Sequence, residues 1–142
     1  MNLLDKRYSS FSTEDTRAYA LQLASVLEKP CILYLHGRMG AGKTLISKTI
    51  GEYFNISNIS SASFQRVAVS EGDVKIIHCD FYRGNPSPEF LDQEVLPLLE
   101  APWILLVEWG MDTFTELVCK KYNLFIELKE NNERILMTEI VS

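Results

Sequence analysis

The sequence predicts an α/β domain of three layers, with a mostly parallel central sheet and antiparallel hairpins added to it. Three observations carry that expectation. Segments of helical period alternate with short, wholly apolar runs that are too brief for helices. A glycine-rich loop, Gly37-Arg38-Met39-Gly40-Ala41-Gly42-Lys43-Thr44, joins one such run to an amphipathic segment. Two pairs of strand-like segments meet across polar turns, Ser70-Glu71-Gly72-Asp73 and Glu130-Asn131-Asn132-Glu133.

The elements follow in order. Ser12-Thr13-Glu14-Asp15 places a hydroxyl at a cap and acids in a first turn, which starts a helix. Ala20, Leu23, Ala24 and Leu27 then recur at helical spacing, and Pro30 ends it. Cys31–Leu35 is an apolar run that suits a strand buried on both faces. A second helix is expected from Lys43, with Ile46, Thr49, Ile50, Tyr53 and Phe54 on its inner face. Phe64–Val69 and Val74–Cys79 are expected to pair as an antiparallel hairpin. Ser87 as cap and Pro88 as first helical residue open a short helix, whose end Pro97 and Pro102 bracket. Ile104–Val107 is a further apolar strand, delivering Glu108-Trp109-Gly110. Tyr122–Leu128 and Arg134–Val141 complete the sheet.

Composition narrows the function. The chain has 142 residues, which suits a single domain over 1–142. Its formal net charge is -5, the wrong sign for gripping nucleic acid by bulk charge. Three scattered cysteines, without a C-x-x-C pair, argue against a disulfide framework or a structural zinc site. No apolar run approaches the ~20 residues of a membrane span, and a cytoplasmic protein is expected.

The glycine-rich loop fits G-x-x-x-x-G-K-[ST]. Its glycines let backbone N–H groups wrap phosphate oxygens, Lys43 offers charge to the β- and γ-phosphates, and Thr44 offers a hydroxyl to Mg²⁺. Gly37, Met39, Gly40, Ala41 and Gly42 are therefore expected against the nucleotide. Glu108 ends an apolar strand, where open α/β sheets gather their ligands, and is expected on the metal side. Asp80, in His78-Cys79-Asp80-Phe81-Tyr82-Arg83, shares a strand face with His78. It either serves a metal-bound water as an acid–base group, or caps a turn or pairs with Arg83. His78 alone is expected to be structural. Ser60, Ser61 and Ser63 form either a loop that senses the γ-phosphate or a polar connector.

Taken together, these pieces resemble the TsaE family, also called YjeE. The shared order is Gly37 to Thr44, then Ser61-Ala62-Ser63-Phe64, then His78-Cys79-Asp80-Phe81-Tyr82-Arg83, then Glu108-Trp109. The resemblance implies a phosphate-loop NTPase-like fold and a small bacterial ATPase, weakly active alone. Such a protein helps the TsaD and TsaB proteins threonylcarbamoylate the adenosine beside the anticodon of certain transfer RNAs, with RNA contact left to the partner complex. It implies ATP and Mg²⁺ as cofactors, with Thr44 and Glu108 holding the metal. Asp80, beside Lys43 and Glu108, becomes the catalytic or water-positioning acid. Ser63 takes a threonine's place in a switch-like loop, and Ser12 and Arg134 lie near the nucleotide base. This sequence departs from the family pattern with Ala62 and Gly110 where the family has proline. A small-molecule kinase and a nucleotide-dependent binding switch are the competing functions.

Overall fold

The computed structural model describes residues 3–59, 66–110 and 112–141. In chain order they form β1 (Tyr8–Ser10), α1 (Thr13–Val26), β2 (Cys31–His36), α2 (Lys43–Tyr53), β3 (Val67–Glu71) and β4 (Lys75–Asp80). There follow the short α3 (Pro88–Phe90), β5 (Trp103–Glu108), β6 (Lys120–Leu128) and β7 (Arg134–Val141). The seven strands make one sheet in the order β1-β7-β6-β2-β5-β4-β3. Its four central strands, β6-β2-β5-β4, are parallel. The hairpins β3–β4 and β6–β7, and β1 against β7, add antiparallel edges.

The all-apolar runs lie at the centre, as a strand buried on both faces requires. Every residue of β2 from Cys31 to Leu35, and of β5 from Trp103 to Val107, is buried. Alternation then divides the core in two. Leu33, Leu106 and Ile76 face α1 and α2, meeting Leu23, Ile46 and Ile50. Ile32, Leu105 and Ile77 face the other way, onto Val95, Phe81 and Phe114. Both long helices thus cover one face, and Arg17 on α1 joins Glu52 on α2 at 2.7 Å.

The second face carries a thinner layer than expected. After Ser87, whose hydroxyl accepts from the Phe90 amide at 3.1 Å, only three residues are α-helical. The turn then widens to a π-type coil over Leu91–Val95 and tightens to a 3₁₀ turn over Leu96–Leu98. Pro97 sits inside that last turn rather than beyond it, at an early position where its missing N–H costs nothing. On α2, Tyr53 is 44% exposed, whereas Phe54 is buried. The chain leaves the helix at Phe54, with φ -99° and ψ 23°, which lets that ring drop inward. Among the described residues no helix is long and apolar enough to cross a membrane.

Candidate functional site

Three parallel strands end at one level. Leu35 on β2 lies opposite Glu108 on β5, and Glu108 lies opposite Asp80 on β4. The glycine-rich loop leaves β2 at this edge and returns as α2. Gly37 lies against β6: a Cβ there would stand 3.0 Å from the carbonyl oxygen of Ile126. Gly40 and Gly42 adopt φ of +82° and +117°, conformations glycine enters without penalty. Gly42 is the N-cap of α2 and supplies no capping side chain, and the first turn holds no acid. By contrast, α1 begins with a capping serine and two acids. The free N–H groups and positive end of α2 therefore stay available to an external anion.

Lys43, Thr44, Asp80 and Glu108 line a cleft of about 550 Å³ at this helix end, together with His78 and Trp109. Lys43 is buried, with Nζ 3.5 Å from Glu108 Oε1 and 4.2 Å from the centroid of the Trp109 ring. The other Glu108 oxygen, Oε2, accepts from His78 Nε2 at 2.6 Å. A carboxylate can only accept, so that ring nitrogen carries the proton. Burial pushes the Glu108 carboxyl up, but the hydrogen bond and charge of His78, aided by Lys43, outweigh it and hold it below the ordinary carboxylate value. Thr44 is exposed within the cleft.

Asp80 does cap a turn, its Oδ1 accepting from the Tyr82 amide at 3.0 Å. It lines the cleft as well. Its own amide donates to the carbonyl of Arg66 at 2.9 Å. The Arg66 guanidinium lies over the Phe90 ring at 4.5 Å and donates to the Gly84 carbonyl. Arg134 holds the phosphate loop from outside, with Nε donating to the Ala41 carbonyl at 2.8 Å. Ser12 caps α1, accepting from the Asp15 amide at 3.1 Å, and the cleft lining does not include it. Ser60, Ser61 and Ser63 lie outside the described residues.

Two features were not legible in the sequence. His78, expected to be structural, reaches the strand-end acid. Trp109 adopts φ +60°, rare for a bulky residue, and its half-exposed ring lies beneath the Lys43 ammonium. At Gly110 a Cβ would stand 2.7 Å from Phe81 Cδ2 and 2.8 Å from Val107 Cγ1. A side chain where the family pattern has proline would thus require Phe81 or Val107 to move.

Among the described residues, two buried side-chain polar atoms lack a hydrogen-bond partner, Ser47 Oγ and His78 Nδ1. Both residues line this cleft. No three His, Cys, Asp or Glu side chains converge there as a metal cage among the described residues. One carboxylate and one hydroxyl fit a Mg²⁺ that draws its remaining ligands from phosphate and water.

Residues 10–136 match the model of a protein family described as threonylcarbamoyl adenosine biosynthesis protein TsaE. The chain belongs to the TsaE family. The matched span runs from the end of β1 into β7, and so includes every site residue named above. A curated TsaE from Treponema pallidum is 28% identical over 124 residues, covering 87% of this chain and 90% of the relative. The TsaE of Aquifex aeolicus is 34% identical over 102 residues, covering 69% and 71%. Among solved structures, Bacillus subtilis YdiB superposes with a TM-score of 0.71 at 26% identity, covering 94% of this chain and 82% of that one. This TsaE-family chain therefore carries a phosphate-loop NTPase-like fold.

Proposed function

We propose that this protein is a Mg²⁺-dependent ATPase of the cytoplasm. It would support threonylcarbamoylation of the adenosine beside the transfer RNA anticodon, acting with TsaD and TsaB. One observation carries the ATPase reading: an acid-free, capless helix N-terminus opens onto a cleft where Lys43, Thr44, Asp80 and Glu108 meet. The loop amides bind phosphate oxygens, with Gly37 to Gly42 shaping the turn. Lys43 exchanges Glu108 for the phosphates, neutralising charge there. Thr44 and Glu108 would hold Mg²⁺, which supplies charge stabilisation at the phosphates when bound. Asp80 orients the attacking water or takes its proton. Ser63 would sense the γ-phosphate, and Ser12 and Arg134 would border the base.

Partner dependence finds support in the rim of the cleft. Met39 is 70% exposed, Tyr82 57% and Trp109 41%, an unusual density of apolar side chains beside one opening. The net charge of -5 favours reaching transfer RNA through the partner complex.

The test is to mix the protein with a TsaD–TsaB pair and ATP, then follow association and phosphate release together. Both should rise. Absence of association in every nucleotide state would overturn the proposal. One observation favours the kinase alternative. A second groove of about 720 Å³ shares Trp109 as a wall and carries Arg38 and Asp112, a place for an acceptor. Transfer of labelled phosphate to a small metabolite would decide for it.

A further inference from the structure

We propose that His78 is the positioning residue for Glu108, fixing its carboxylate in the orientation that serves the metal of a bound nucleotide. The inference rests on the proposed metal-side role of Glu108 and deepens it.

Among the described residues Glu108 has two holders, and they differ in kind. Lys43 touches Oε1 at 3.5 Å. It belongs to the first turn of α2, where a triphosphate competes for its ammonium. His78 touches Oε2 at 2.6 Å, the short distance of a charge-assisted bond. It belongs to β4, in the parallel centre of the sheet, and is 7% exposed. When phosphate takes Lys43, His78 still holds the carboxylate, and Oε1 is the oxygen set free toward the cleft.

The orphaned ring nitrogen points the same way. His78 Nδ1 is buried without a hydrogen-bond partner among the described residues. An unmet buried nitrogen is costly, and the ring bears that cost while keeping its bond to Glu108. Among the described residues, the ring's one side-chain hydrogen bond is to Glu108. Strand alternation then places this imidazole and Asp80 on one face, two residues apart. One strand thereby supplies both the water-side acid and the support for the metal-side acid. Partners that orient a ligating group typically contribute 10–100-fold to metal affinity.

The experiment measures nucleotide affinity by titration calorimetry, once with EDTA and once with excess Mg²⁺. The ratio of the two affinities is the metal's coupling to the nucleotide. In His78→Ala that ratio should fall by about 10–100-fold, while metal-free affinity stays within about threefold of the parent. His78→Gln, whose amide can donate from nearly the same place, should recover most of the ratio. If the alanine variant fails to fold, His78→Leu, which fills similar space and cannot donate, takes its place with the same expected fall in the ratio. A purely structural role predicts that both affinities fall together with the melting temperature and leave the ratio intact, and that result overturns the inference. Failure of the underlying function looks different: the parent protein itself would bind no nucleotide, or would show no response to Mg²⁺. A parent response that survives in both His78 variants overturns the positioning role alone.

Discussion

Replacing Glu108 with glutamine should tighten nucleotide binding in the absence of metal, although it removes an acid assigned to the site. In the nucleotide-free fold Lys43 already has an anionic partner, 3.5 Å away. Two unit charges at that distance attract by roughly 5 kcal/mol at an effective dielectric near 20. Desolvation of two buried groups offsets most of this, leaving on the order of 1–2 kcal/mol to be overcome when the ammonium turns to phosphate. Glutamine releases that hold and removes a negative charge facing the incoming phosphates. Metal-free affinity should therefore rise by about 5–30-fold. With excess Mg²⁺ the gain should vanish, because the carboxylate proposed to serve the metal is gone.

The assay is a titration with ATP in EDTA, followed through tryptophan emission. Trp109 is the more exposed of the two tryptophans, and its ring lies beneath the Lys43 ammonium. A Lys43→Met background supplies the control. There Glu108→Gln should lose the part of its effect that runs through the pair, and the double-mutant cycle isolates that part. Unchanged or weakened metal-free binding in Glu108→Gln would refute the view that the pair competes with phosphate.

Three further outcomes follow from the geometry. Gly42→Ala forces a side chain onto a φ of +117°, which should cost roughly 1–2 kcal/mol, lower the melting temperature by several degrees and weaken phosphate binding; an unchanged melt would contradict the strain. Ser12→Ala removes the cap of α1 and should cost about 1 kcal/mol in denaturant titration; a loss of ATP affinity at unchanged stability would instead place that hydroxyl at the nucleotide. The Glu108 carboxyl titrates lower in the fold than in the unfolded chain. Its stabilising contribution is thus present above the ordinary carboxylate value of 4.5 and disappears as pH falls through its lower folded value. The melting difference between the parent and Glu108→Gln should shrink as pH falls below 4.5, and a difference unchanged by acid would exclude this linkage.

The elements legible in the sequence were those whose signal is local. β2 and β5 show as unbroken apolar runs, and α1 shows as a cap followed by a period. The two hairpins show as turns between extended segments, although Ser70 and Glu71, expected in the first turn, continue β3 opposite Ile76 and Lys75. β1 was not legible, because three residues without apolar alternation become a strand only by pairing with β7, more than a hundred residues away. The helix after Ser87 was legible at its start, where cap and proline act locally. Its interior was not, because the π and 3₁₀ turns arise from fitting Val95 and its neighbours onto the second face of the sheet.

The same division explains the site. The glycine-rich loop is a contiguous instruction, so Lys43 and Thr44 fall where the motif sends them. Asp80 and Glu108 are separated in sequence and come together only because β4 and β5 run parallel in a register that sets one directly opposite the other. Once that register is fixed, His78 follows: two residues before Asp80 and on the same face, its ring reaches across to Glu108. The alternation that pairs the acids also buries the imidazole, so a histidine that looks structural by burial becomes part of the site by position. Trp109 then closes the arrangement. The strand ends at Glu108, the next residue takes a left-handed turn, and its ring lies against the Lys43 ammonium instead of continuing outward. A lysine held between an acid and an indole is oriented and only partly available. On the proposed function, such a resting state keeps turnover low in the isolated protein. A partner that covers the apolar rim of Met39, Tyr82 and Trp109 can then raise it by shifting the indole.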